Sequence, residues 1–137
     1  MAKKILRIII TEEPQPKGRV RTTFINGKVR SYTPERTQNA QDAIIWRLMR
    51  HQEDCFARDI PVKLTATFFR TKSKYLPKRE TLPHRKPDLD NLLKLLLDAM
   101  IGVLVVDDCQ ITALRVSKRW TDKEYGYITI KLEEDKP

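Results

Sequence analysis

The chain has 137 residues and a formal net charge of +9, with 40% hydrophobic and 33% charged residues. That length fits one domain, here taken as 1–137, able to bury roughly two thirds of the surface its unfolded form exposes. The composition excludes a disordered protein and leaves no run of ~20 apolar residues for a membrane span.

The 27 Lys and Arg against 18 Asp and Glu favour a polyanionic partner such as nucleic acid or anionic lipid, although solubility alone accounts for the same balance. Cys55 and Cys109 show no close metal-ligand spacing, and no signal-peptide pattern opens the sequence. A reduced, cytoplasmic setting with both thiols packed is the expectation.

Residues 4–10 are short and β-branched, reading as a buried strand that Pro14 and Pro16 end. From Arg19 to Tyr32 two β-prone runs flank Asn26-Gly27, the dipeptide of a type I′ hairpin turn. The turn pairs Ile25 with Lys28, Phe24 with Val29, Thr23 with Arg30 and Arg21 with Tyr32. Side-chain alternation then gives a basic face of Arg19, Arg21, Lys28 and Arg30, and a core face of Val20, Phe24 and Val29.

Thr33-Pro34 predicts a helix start, with Thr33 as N-cap, and the apolar stripe Ala40, Ala43, Ile44, Trp46, Leu48 and Met49 carries the helix to about Phe56. Val62, Leu64, Ala66 and Phe68 alternate with polar residues in a half-buried strand. Residues 70–87 hold Arg70, Lys72, Lys74, Lys78, Arg79, Arg85 and Lys86 against Glu80 alone, a net +6, and their prolines predict a mobile loop.

Asp90 is a candidate cap for a helix to about Ile101, apolar nearly all round except for Asn91, Lys94 and Asp98 on one stripe. Gly102 stops it, Val103–Val106 reads as a short buried strand, and 110–120 with 127–133 read as a terminal hairpin.

Asp88, Asp90, Asp107 and Asp108 place four carboxylates within 21 residues, directly after the basic loop. Mg²⁺ prefers oxygen ligands and keeps several waters, so two or three carboxylates beside a bound polyanion suffice for a site. Adjacent Asp107 and Asp108 in strand geometry point to opposite faces, so one of them reaches the metal while the other caps a turn or supports a ligand. Without a metal, clustered carboxylates are expected to have raised pKa values. A plainer reading stays open: Asp90 as a helix cap, Asp88 as a neutraliser of Arg85 and Lys86, Asp107-Asp108 as a turn, and Asn91, Lys94 and Asp98 as a wet stripe.

Pro16-Lys17-Gly18-Arg19, Tyr32-Thr33-Pro34, the run from Lys86 through Asp88-Leu-Asp90-Asn-Leu-Leu to Lys94, Leu97-Asp98-Ala99 and Asp107-Asp108-Cys-Gln110-Ile111 occur in that order. In these motifs, from about residue 14 to 120, the chain resembles the RusA family of Holliday junction resolvases, frequently carried by prophages. The resemblance implies a small α/β (α+β) domain with a mixed β-sheet and two main helices, working as a homodimer in DNA recombination and repair. It implies binding of four-way junction DNA and Mg²⁺-dependent paired nicking that leaves 5′-phosphates, with Mn²⁺ as a substitute metal. On the matching positions Asp88, Asp90 and Asp108 are the catalytic metal-binding acids and Lys94 the lysine needed for cleavage. Asp107 and Asp98 match family positions of less defined role.

Charge adds the candidate DNA contacts: Lys17, Arg19, Arg21, Lys28 and Arg30 near the hairpin, and Lys72, Lys74, Lys78, Arg79, Arg85 and Lys86 in the loop. A non-catalytic DNA-binding protein is the rival from another class. A metal-dependent nucleotide hydrolase is weaker, because no glycine-rich phosphate loop occurs among four glycines.

Overall fold

The computed structural model describes residues 4–137, so the first three residues of the expected domain lie outside it. Among the described residues ten elements follow one another: β1 (Ile5–Ile10), β2 (Arg21–Ile25), β3 (Lys28–Tyr32), α1 (Glu35–Leu48), a 3₁₀ turn (Met49–Asp54), β4 (Val62–Arg70), α2 (Leu89–Met100), a second 3₁₀ turn (Asp108–Gln110), β5 (Ile111–Trp120) and β6 (Tyr127–Glu134). A mixed four-stranded sheet, ordered β1-β6-β4-β5, and the separate ribbon β2-β3 give the α/β content expected.

The sheet buries one face. Leu64, Ala66 and Phe68 of β4, Ile128, Ile130 and Leu132 of β6, and Ile8 and Ile10 of β1 form one cluster with Ile44 and Leu48 of α1 and Leu92, Leu95, Leu96, Ala99 and Met100 of α2. The alternation read in β4 is therefore correct, whereas β1 is a half-buried edge strand whose Ile9 is 69% exposed. The opposite sheet face has no helix in that cluster.

β4 and β5 run parallel, and α2 is part of the connection between them. A parallel pair needs such a crossover. It sets the head of α2 at the carboxyl end of β4 and the tail of α2 at the amino end of β5. The terminal hairpin expected from 110–120 and 127–133 does not form: β6 lies antiparallel to β4 and to β1, with β4 between it and β5. Each strand keeps its predicted extent to within one residue, and Leu132, Ile130 and Ile128 of β6 lie opposite Leu64, Ala66 and Phe68 of β4.

Other boundaries shift for local reasons. α1 starts with Pro34 at the cap position and without a side-chain cap, and its last residues tighten into the 3₁₀ turn before Phe56, which bridges to Val105. Val103–Val106 is a turn carrying that bridge rather than a strand, entered through Gly102 at φ +83°. The β2-β3 register is the predicted one, with Asn26 and Gly27 at positive φ. Its supposed core face is not a core: Phe24 is 74% and Val29 60% exposed.

Candidate functional site

Asp88, not Asp90, occupies the cap position of α2, in an extended conformation and without a side-chain cap bond. Its carboxylate is thus free of the helix end and lies 3.5 Å from Lys86 Nζ, while Asp90 in the first turn lies 3.5 Å from Lys94 Nζ, one turn on. Both acids are more than half exposed as side chains. Two solvent-reachable carboxylates two residues apart, with oxygen donors only, suit a Mg²⁺ ion that takes one or two carboxylates and completes its shell with water and phosphate.

Several residues hold this end of the domain in place. Lys118 Nζ donates to the carbonyl oxygens of Arg85 at 2.7 Å and of Pro87 at 2.8 Å, fixing both sides of the cis Lys86–Pro87 peptide next to Asp88. Burial and the Arg70 guanidinium hold the Lys118 pKa below its ordinary value, and Asp88 opposes them. The motif Pro16-Lys17-Gly18-Arg19 clamps the other side. Lys17 N–H donates to Asn91 O at 3.0 Å, Lys17 Nζ to Asp98 at 2.6 Å, and Gly18 N–H to the buried Thr37 hydroxyl at 2.9 Å. A Cβ on Gly18 would stand 2.7 Å from that hydroxyl oxygen, so glycine permits the close approach to α1.

Between this clamp and the Lys118-held loop opens a cleft of about 610 Å³, lined by Asp88 and Asn91 together with Lys17, Arg19, Arg21, Arg36, Arg70 and Lys86. Arg36 was not singled out by sequence; it carries no pattern beyond its place in the first turn of α1. Lys118 did leave a signal, since it follows Leu114 and Val116 on the strand face where alternation calls for an apolar residue.

Asp107 and Asp108 lie elsewhere, past the tail of α2. Asp107 caps the short 3₁₀ turn: its carboxylate accepts from Asp108 N–H at 2.7 Å, and Gln110 answers by accepting from Asp107 N–H at 3.1 Å. Gln110 is buried and also donates to the carbonyls of Ala57 and Ile60, so the Asp-Asp-x-Gln motif anchors this turn. A hydrogen bond between the two carboxyls raises the Asp108 pKa and lowers that of Asp107; partial desolvation and the charges of Asp107 and Asp98 push Asp108 further up. The repulsion expected of the acids therefore falls on Asp108, and Asp107 moves the opposite way.

Asp98 is eight residues from Asp90 on α2, a rise of ~12 Å, too far for both to touch one ion at ~2.1 Å. Among the described residues no three carboxylate, histidine or cysteine side chains come together as one metal-binding group. Asp88 and Asp90 stand at the head of α2, Asp108 beyond its tail. Cys109, expected to be packed, is exposed, with desolvation and then Asp107 raising its thiol pKa.

The basic candidates divide. Arg19, Arg21, Lys28 and Arg30 are exposed on or beside the ribbon, and Lys74, Lys78 and Arg79 are exposed in the loop. Lys72 turns inward to the carbonyls of Pro77 and Glu80, and Arg85 pairs with Glu80 at 2.5 Å, which also lowers the Glu80 pKa. These bonds give the loop internal structure where mobility was expected.

Comparison with known proteins decides the family. The family described as "Endodeoxyribonuclease RusA" matches residues 12–133. The chain belongs to the RusA family. The match spans the clamp motif, the cleft, both acidic pairs and every element from β2 to β5.

This RusA-family chain is 31% identical over 115 residues to the crossover junction endodeoxyribonuclease rusA of Lactococcus phage r1t, covering 80% of this chain and 82% of that protein. It is also 26% identical over 136 residues to the uncharacterized protein YqaN of Bacillus subtilis (strain 168), covering 92% of this chain and 95% of that protein. No helix among the described residues is long and apolar enough to cross a membrane.

Proposed function

We propose that this RusA-family endodeoxyribonuclease is a Mg²⁺-dependent resolvase of four-way DNA junctions, working as a homodimer in recombination and repair. The observation that carries the reading is the exposed Asp88–Asp90 pair at the head of α2, whose Asp88 lines a cleft ringed by cations. Asp88, Asp90 and Asp108 would hold the ion. Bound there, Mg²⁺ or Mn²⁺ supplies an activated water and stabilises charge on the phosphoryl oxygens.

The chain's own groups do the rest. The basic ribbon face and the outward loop lysines hold the phosphate backbone by charge, without reading bases. Lys94, one turn from Asp90 and exposed, brings its ammonium to the scissile phosphate. Asp107 fixes the turn that presents Asp108, and Asp98 fixes Lys17.

Because Asp90 and Asp108 sit at opposite ends of one helix, a two-fold axis offers the route that unites them. Antiparallel pairing of α2 with its symmetry mate sets the head of one helix beside the tail of the other, so Asp88 and Asp90 of one protomer meet Asp108 of the partner subunit, twice per dimer. The only partly buried Leu93 and Leu97 leave apolar surface along α2 for that contact, and half-exposed Leu114 adds some on β5. Two sites related by two-fold symmetry match the two strands that a junction presents for nicking.

The test is a synthetic four-way junction incubated with Mg²⁺, with Mn²⁺ and with chelator. Paired nicks only with metal, abolished by Asp90→Asn while junction binding survives, are expected. Binding without nicks under every condition would leave a non-catalytic DNA-binding protein whose acids only neutralise Lys86 and Lys94.

A further inference from the structure

Arg36 and Arg70 are drawn to one cleft although nothing acidic pairs with either. Arg36 Nη2 donates to the Gln15 side-chain oxygen at 3.0 Å, and Arg70 Nη1 to the Pro14 carbonyl at 3.3 Å, both neutral acceptors. Among the described residues neither guanidinium has a carboxylate within ion-pair distance. Lys17 is committed to Asp98 at 2.6 Å and Lys86 lies 3.5 Å from Asp88, whereas neither of these two arginines has such an ion pair. Arg70 is partly buried; burial pushes its pKa down, Glu13 pulls it up, and Arg36 pushes it down again.

Holding two like charges together, one partly out of water, costs free energy unless an anion joins them. The guanidinium fork matches phosphate oxygens in a bidentate way that an ammonium does not. The cleft is large enough for a nucleotide-sized group, since small-molecule sites run from roughly 300 to 1,000 Å³. Asp88 lines the same cleft, so a strand lying in it reaches one of the proposed metal-binding acids.

We propose that Arg36 and Arg70 form a phosphate-binding subsite for the DNA strand that is cut, gripping a phosphodiester neighbouring the one presented to Asp88. The inference rests on the nuclease reading for its strand; its two arginines come from α1 and the end of β4, in the cleft that Arg21, Lys86 and Asp88 also line. Thr37 and Gly18 shape its floor, and Gln15 orients Arg36.

The experiment measures junction binding by fluorescence anisotropy in Ca²⁺ across a potassium chloride series, for wild type, Arg36→Gln, Arg70→Gln and Arg70→Lys. Arg36→Gln and Arg70→Gln are expected to weaken binding about tenfold at low salt and to make the slope of log affinity against log salt shallower by about one. Arg70→Lys keeps the wild-type slope but recovers only part of the affinity. Arg36 is exposed, so Arg36→Gln decides the matter if Arg70→Gln does not fold.

Wild-type affinity and slope in a normally melting Arg36→Gln protein would overturn the subsite, as would a wild-type protein that binds no DNA. If calorimetry shows the variants losing inorganic phosphate while DNA affinity and slope hold, the cleft takes a free anion and the strand assignment fails. A wild-type protein that binds junctions but never cuts them removes the proposed activity while the slopes still test the cleft.

Discussion

The ammonium of Lys118 stands 2.8 Å from the carbonyl oxygen of Pro87, tying a strand residue on the sheet to the position directly before Asp88. The geometry of the acidic pair therefore depends on a side chain 30 residues away in sequence.

Lys118→Met should release the loop, leaving two carbonyls to find water at a cost of about 1 kcal/mol in stability. Junction cutting is expected to fall more than tenfold at saturating DNA while binding in Ca²⁺ changes little, and Lys118→Arg should restore part of the rate. Equal losses in kcat for the Met and Arg variants would count against a positioning role.

The same lysine predicts a pH dependence. Its folded pKa is depressed below the unfolded value, so between the two the unfolded chain binds more protons and stability rises with pH. Urea denaturation from neutral to alkaline pH should show wild type gaining on Lys118→Met as pH climbs through the folded pKa toward about 10.5, the unfolded value. A difference that is flat over that range, or that reverses, would remove the effect.

Asp108 carries the opposite sign. An acid with a raised folded pKa weakens the fold as pH rises through that range, so Asp108→Asn should melt above wild type in chelator at neutral pH. A divalent ion bound by the folded protein alone adds RT ln(1 + [L]/Kd), about 2.7 kcal/mol at a hundredfold excess. Thermal melts with and without Mg²⁺ should show that rise in wild type and its loss in Asp108→Asn.

Subunit mixing tests the shared site. Asp90→Asn and Asp108→Asn homodimers should both be inactive, whereas mixed dimers regain one intact site and nick a single strand per junction. No recovery, in mixtures shown by mass spectrometry to exchange subunits, would return each site to a single protomer.

Lys94→Ala removes an exposed pair with Asp90 that contributes about 0.3–0.5 kcal/mol, so the variant should fold and bind junctions normally. Its cutting rate should drop sharply. Wild-type cleavage would leave Lys94 as no more than a solvated helix position.

Much of this protein was legible residue by residue, because turn chemistry and side-chain period act over short distances. Asn26-Gly27 set the ribbon register, Val62 to Phe68 declared their buried face, and the Asp-Leu-Asp-Asn-Leu run with Asp107-Asp108-Cys-Gln110 pointed to the family. Partnership over long range was not written in any single segment. β6 has the alternation of a hairpin strand, yet it pairs with β4 and β1, since pattern states which face is apolar but not which strand will cover it. The same holds for Phe24 and Val29, apolar on a ribbon that leaves them exposed, and for Asp108, which is close to Asp90 in sequence but separated from it by the length of a helix. Only the folded chain brings Arg36 to Arg70 and Lys118 to Pro87, because charge is counted along a sequence whereas its cost and its use depend on what the tertiary structure sets beside it.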